Sequence, residues 1–188
     1  MAALARRPSK TVVQLRISLM DHTPTIWRRL LVPGEIKLSK LHTIFQVAMG
    51  WEDYHLHAFE IDGQRYGTPD PEWEMDDIDE EIVVFADLIS GRTRFFYEYD
   101  FGDSWHHEVV VESFEPVPLI LKFAVCVDGQ RACPPEDCGG TGGYGNFLEA
   151  IADPDHEEHD DYVGWIGRYF DPEAFDRAMV NADLQRVR

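Results

Sequence analysis

Apolar residues alternate with polar ones from Val13 through Leu15 and Ile17 to Leu19, with Gln14, Arg16 and Ser18 between them, the period-two signature of a half-buried strand. After a turn at Asp21 to Pro24, Thr25 to Val32 predicts a second strand that stops at Pro33-Gly34. Arg28 and Arg29 then point to opposite faces, one for solvent or an ion pair and the other able to cover an aromatic ring. The period next lengthens. Leu38, Leu41, Ile44, Phe45, Ala48 and Met49 recur at helical spacing, with Ser39 as the expected N-cap, Gly50 as the stop and His42 at the edge of the stripe. Strand character returns at His55 to Ile61 and Gln64 to Tyr66. An acidic loop at 70–81, a short apolar segment at Ile82 to Ile89, a hairpin over 95–112 and a strand at Lys122 to Val127 follow.

Beyond Gly145 the pattern is helical: Asn146 to Ala152, Tyr162 to Arg168, and a last helix opened by Asp171-Pro172-Glu173 with Phe175, Ala178, Met179 and Ala182 facing inward. Strands first and helices last predict an α+β fold: a mainly antiparallel sheet, one helix inserted after the first two strands, and helices clustered at the C-terminal end. Residues 11–185 read as a single domain, with 1–10 a flexible tail. The 188 residues are 44% hydrophobic and include five Trp, seven Tyr and eleven Phe, enough to bury a core without staples.

Charge narrows the partners. The chain holds 17 Lys and Arg against 35 Asp and Glu, a net charge of −18, and the first 40 residues carry eight of those bases against Asp21 and Glu35. That stretch is +6 and the remainder −24, so direct nucleic-acid binding is disfavoured for lack of a basic stripe. No apolar run approaches the roughly 18 residues of a membrane span. Three cysteines, an odd number, argue against a disulfide framework, and the expected location is cytoplasmic.

The chemistry concentrates in the hairpin FFYEYDFGDSWHHEVVVE. A two-residue type II′ turn at Gly102-Asp103 would pair Glu98 with His107 and place Glu98, Asp100 and His107 on one face. A carboxylate beside an imidazole fixes its tautomer and raises its basicity, as a general base or metal ligand requires, so Glu98, Asp100, Asp103 and His107 are the catalytic candidates. His55-x-His57 sets two imidazoles on one side of a strand, and His55, His57, Asp100 and His107 form a candidate site for a divalent metal. The alternatives are a cross-strand ion pair and histidines bonded to backbone at the core edge. Cys126, Cys133 and Cys138 lack the tight pairing of zinc-finger ligands. Gly140-x-Gly142-x-x-Gly145 matches a dinucleotide fingerprint only formally, since no strand precedes it. It instead marks a rigid loop in which Pro134, Pro135, Glu136, Asp137, Cys138, Gly139, Gly140 and Tyr144 could bind a partner.

PTIWRRLLVPG, LSKLHTIFQVAMGWEDYHLHAFEIDGQRYG, the hairpin, ACPPEDCGGTGGYGNFLEAIADPDHEEHDDYVGWIG and FDPEAFD resemble, in order, the Ri-plasmid open-reading-frame-three-like family, whose members are also labelled passenger proteins of insertion elements. The resemblance spans about residues 11 to 184. It implies an α+β fold and an association with plasmids or transposable elements, but no reaction.

Two function classes follow. One is a protein or peptide interaction module, a groove between the hairpin's aromatic face and the PPEDCGG loop, for which exposed Tyr97, Tyr99, Phe101 and Trp51 would speak. The alternative is a metal-dependent hydrolase or nuclease-like enzyme, for which convergence of His55, His57, Glu98, Asp100, Asp103, His106, His107, Glu136 and Asp137 in one pocket would speak.

Overall fold

The computed structural model describes residues 11–70, 76–89, 93–116, 121–167 and 169–187. Much of the acidic loop at 70–81 therefore lies outside the described residues. Eight strands form one mostly antiparallel sheet: β1 (Thr11–Leu19), β2 (Trp27–Pro33), β3 (His57–Ile61), β4 (Gln64–Gly67), β5 (Ile78–Asp79), β6 (Arg94–Tyr99), β7 (Trp105–Pro116) and β8 (Val125–Gln130). Their order is β5-β4-β3-β6-β7-β1-β2-β8, with β4 and β5 parallel. Helices α1 (Leu38–Met49) and α2 (Phe85–Ile89) interrupt the strands, and α3 (Gly140–Ala152), α4 (His159–Ile166) and α5 (Arg177–Leu184) close the chain. The fold is α+β, with helices late.

The alternation in β1 buries Val13, Leu15, Ile17 and Leu19 beneath α1, whose Phe45 meets Phe59 of β3 and Tyr97 of β6 with ring centroids 6.2 and 5.3 Å apart. Gly50 ends α1 in the left-handed region (φ 108°), where a side chain would be strained. The helix starts earlier than Ser39 predicts: Lys37 is the extended cap residue, and no side chain caps the first turn. Arg28 and Arg29 do diverge. Arg28 is buried, donating to the carbonyls of Ala48 and Gln130 with its guanidinium 4.4 Å from the Phe175 ring, while Arg29 pairs with Glu112 on the other face.

The hairpin departs from the predicted register. Asp100 adopts a left-handed conformation (φ 56°), its Oδ1 accepts the amides of Gly102 and Asp103, and its carbonyl accepts Ser104 N–H. This side-chain-braced loop takes Asp100 to Ser104 out of the ladder, so the strands close at Tyr99–Trp105 instead of Phe101–Ser104. The one-residue slip exchanges faces on β7. His107 now lies opposite Tyr97, Glu98 lies opposite His106, and Phe95, Tyr97, Tyr99, Trp105, His107 and Val109 share the buried side. Tyr97, Tyr99 and Trp51, expected as an exposed patch, are core residues.

The C-terminal end also shifts. α3 begins at Gly140 rather than Asn146, so the glycine-rich run is its first turn. The last helix starts at Arg177, capped by Asp176, whose Oδ1 accepts the amides of Ala178 and Met179; both of those residues are exposed, and Leu184 is the one buried anchor of α5. Asn181 on α5 bonds both ways to the backbone of Cys126 in edge strand β8, its Oδ1 accepting from the amide and its Nδ2 donating to the carbonyl, each at 2.8 Å.

Candidate metal centre

Three segments far apart in sequence meet at the tip of the β6–β7 hairpin. Asp100 N–H donates to the carbonyl of Leu56 at 2.8 Å, which fixes the approach to β3 against the hairpin and leaves His55 beside the loop. The loop between β8 and α3 is tied to the same tip: Asp103 Oδ2 accepts Gly139 N–H at 3.0 Å, and Gly140 lies so close that a Cβ there would stand 2.5 Å from the Asp103 carbonyl oxygen. Trp51 Nε1 donates to the carbonyl of Pro134 at 3.2 Å. Glu136 and Asp137 are thereby delivered to His55.

His55 Nε2 stands 3.1 Å from Asp137 Oδ1, 3.6 Å from Asp100 Oδ2 and 3.9 Å from Glu136 Oε2. It is buried and makes no hydrogen bond in this geometry. The donor atoms of His55, Asp100 and Asp137 lie within 4.8 Å of one another. Ligand atoms about 2.0–2.2 Å from one ion stand about 3 to 3.6 Å apart, and the His55–Asp137 and His55–Asp100 separations of 3.1 and 3.6 Å fall in that range. Asp100 and Asp137 both sit at φ 56°, a conformation aspartate tolerates better than most residues.

Glu136 is placed differently. Its Oε1 accepts from the Glu52 amide at 2.8 Å and the Tyr99 hydroxyl at 3.1 Å, while its Oε2 is buried without a partner beside His55. Burial pushes its carboxyl above the ordinary range, and neighbouring Asp137 adds to the rise.

A second cluster lies across Leu56. The rings of His42 and His57 stack at 3.3 Å with 4° between their planes. His42 Nδ1 meets the Tyr97 hydroxyl at 2.8 Å and its Nε2 meets Asp53 Oδ1 at 2.7 Å; Gln46 Nε2 donates to the same hydroxyl at 2.9 Å, and His57 Nε2 meets Glu80 Oε2 at 2.9 Å. These contacts assign His42 the tautomer protonated at Nε2, accepting from Tyr97 at Nδ1. Burial, and then His57, lower its pKa to about 4, so it is neutral at pH 7. An open cavity of about 320 Å³, lined by Ser39, His42, Asp53, His55, His57, Thr68 and Glu80 among others, brings His55 and the stacked pair onto one wall.

Of the sequence-predicted residues, His55, Asp100, Glu136 and Asp137 converge and the others do not. His57 joins the stacked pair. His107 is fully buried, its Nδ1 3.3 Å from the Tyr97 carbonyl, and burial lowers its pKa to about 3; it is neither ligand nor base. Glu98 turns to the opposite face, against Arg65 at 3.3 Å and His106 at 4.0 Å. Asp103 anchors the Gly139 loop rather than entering the centre. Within the predicted binding loop, Tyr144 is a core residue, and burial drives the Cys138 thiol up to about 12, leaving it protonated. Asp53 and Glu80 went unread, and His42 was under-read. Its place on the stripe with Leu38, Phe45 and Met49 is the signal that marks a polar residue turned into the core.

The sheet and this tip define an α+β protein with a His/carboxylate centre built on loops. The chain belongs to the plasmid pRiA4b ORF-3-like protein family, whose profile matches residues 11–179. It is 39% identical over 159 residues to the uncharacterised protein y4hQ of Sinorhizobium fredii (strain NBRC 101917 / NGR234), covering 84% of this chain and 81% of that one. It is also similar to a crystal structure of a protein of unknown function from Methanosarcina mazei Go1, with a TM-score of 0.80 and 37% identity over 89% of this chain and 96% of that one. Among the described residues, no helix is long and apolar enough to cross a membrane.

Proposed function

We propose that the protein is a metal-dependent hydrolase whose cation is held by His55, Asp100 and Asp137 and whose general base is Glu136. The observation that carries this reading is Glu136 itself: one carboxylate oxygen is pinned by Tyr99 and the Glu52 amide, and the other is buried, unpartnered and aimed at His55. A carboxyl pushed upward by burial is better matched to proton abstraction near neutrality than an exposed one. One imidazole with two carboxylates suits Mn²⁺ or Zn²⁺.

A bound divalent cation would acidify a water and polarise the carbonyl under attack. With the cation held by His55, Asp100 and Asp137, Glu136 Oε2 would take a proton from the attacking water as the water oxygen bonds to the carbonyl carbon. The same carboxyl would return the proton to the departing nitrogen or oxygen, giving a carboxylic acid and an amine or alcohol. Among the described residues no lysine or arginine lines the 320 Å³ cavity beside His55, so an amide or ester is favoured over a phosphodiester. Burial of Tyr97, Tyr99 and Trp51 removes three of the four aromatics that would speak for an interaction module, which makes that reading the weaker one.

The test is titration of metal-stripped protein with Mn²⁺ and Zn²⁺ by calorimetry, followed by an amide and ester substrate screen in the loaded protein. Stoichiometric binding that is lost in His55→Ala, with hydrolysis lost in Glu136→Gln, supports the reading. Binding unaffected by His55→Ala, or hydrolysis undiminished in Glu136→Gln, overturns it.

A further inference from the structure

A second cavity of about 310 Å³ opens on the far side of Asp137, lined by Asp137, Cys138, Glu158, Asp161, Tyr162 and Trp165. Its walls are built. Asn146 Nδ2 donates to Glu158 Oε2 at 2.7 Å and to the Tyr162 hydroxyl oxygen at 3.2 Å, which fixes an acid at the start of α4 and a phenol on its first turn, both of them lining the cavity. The Trp165 indole stands edge-to-face against Tyr162 and against buried Phe147, with centroids 6.1 and 5.8 Å away, so the ring is held although 48% of the residue is exposed. A large aromatic kept half in water on a short helix, facing a cavity, calls for a reason beyond core packing.

The charges supply it. Asp137 Oδ1 stands 3.1 Å from His55 Nε2, and neither Glu158 nor Asp161 pairs with a lysine or arginine among the described residues. Three carboxylates with two fixed aromatic rings form a cavity that attracts a cation by charge and holds it against π faces, and that repels an anion. The geometry points to a recognition site for an alkylammonium group, with Trp165 and Tyr162 as the aromatic walls and Glu158 and Asp161 as the counter-charges. A tetraalkylammonium ion fits a volume of this size, and so does the end of a lysine side chain. Asp137 lines this cavity and also faces His55, so a ligand held here by its cationic end would lie next to the hydrolytic centre proposed above.

The site itself stands independently of the metal, and so does its test. Choline, a capped lysine tripeptide, the matching glutamate tripeptide and 3,3-dimethylbutanol, the uncharged isostere of choline, are titrated into the full chain in EDTA by ligand-observed NMR and calorimetry. We expect a cationic probe to bind, the isostere and the glutamate peptide to bind at least tenfold more weakly, and affinity to fall with added salt. Binding by the lysine peptide alone assigns the site to a protein side chain, and binding by choline alone assigns it to a small quaternary amine. Trp165→Ala and Glu158→Gln should each weaken binding at least fivefold, and Trp165→Phe should restore most of the first loss; thermal melts establish that each variant folds. Equal affinity for choline and its isostere, no binding by either cation, or indifference to Trp165→Ala overturns the assignment.

Discussion

Only Leu56 separates His55 from His57, yet the two imidazoles belong to opposite kinds of cluster. Around His57 most polar atoms answer one another: both ring nitrogens of stacked His42, the Tyr97 hydroxyl and a Glu80 oxygen are engaged, while Gln46 Oε1 is buried without a partner. Around His55, Nε2 and Glu136 Oε2 are buried without partners, although three carboxylates stand within 3.9 Å of that nitrogen. Buried polar groups left unpaired are costly, and a fold keeps them where something else completes them. The difference is one of arrangement: around His55 an unpartnered ring nitrogen and an unpartnered carboxylate oxygen face each other 3.9 Å apart beside two further carboxylates, and around His57 no such set converges.

Exchanging the roles of the two histidines is the strongest challenge to that contrast. His55→Ala should abolish metal binding, at least a hundredfold in Kd, while shifting unfolding by less than about 1 kcal/mol; His42→Ala should leave the metal Kd within a few-fold and cost about 2 kcal/mol or more, because it strands the Tyr97 hydroxyl. Calorimetric titration alongside urea melts decides the matter, and the reverse pattern would sink the distinction.

Within the open cluster, Glu136→Gln preserves shape and removes the base. Hydrolysis should fall by about 10² to 10⁴ while the metal Kd changes less than tenfold. A parallel loss of both would recast Glu136 as a ligand.

Acid probes the closed side. His42 and His107 are held neutral by burial, with pKa values of about 4 and about 3 against 6.5 in the unfolded chain, so the unfolded chain takes up their protons first. Their contribution is intact above pH 6.5 and is lost as pH falls toward 4, at a rate on the order of 1 kcal/mol per pH unit for each. A urea-melt series from pH 7 to 4.5 should show this slope, reduced by half in His107→Leu; an unchanged slope would mean that His107 is not the titrating group.

The smallest effect concerns a residue in neither cluster. Asp103→Asn weakens the tie to Gly139, so metal affinity should drop several-fold through misplacement of Asp137, with stability lowered by about 1 kcal/mol. Affinity indistinguishable from the unaltered protein would show that the loop is held by Gly140 packing alone.

Local periodicity made β1, α1 and the Gly50 stop legible, since side-chain spacing there is set by the neighbouring turn or rung. The hairpin was located correctly and registered wrongly. The choice between a two-residue turn and a five-residue loop rested on Asp100 bonding its own backbone, an option that Gly102-Asp103 concealed. All four members of the candidate centre could be named in advance, His55 and Asp100 as metal ligands and Glu136 and Asp137 among the residues of a shared pocket and of the adjoining loop, though in company with five others that do not join them. Their meeting point could not, because it depends on Leu56 bonding Asp100 and on Gly139 reaching Asp103, contacts between stretches up to 44 residues apart. His57 and His107 followed the same composition rule as His55 and were claimed by the core.

The amide of Asn181 has a consequence at the sheet's margin. By bonding both the N–H and the carbonyl of Cys126, with Arg177 donating to the neighbouring Val127 carbonyl, it acts as a one-residue imitation of a ninth strand. Its stop is polar and too short to propagate. A chain ending before Arg177 would offer β8 as bare, adhesive backbone, so the final helix serves as a guard against runaway self-association.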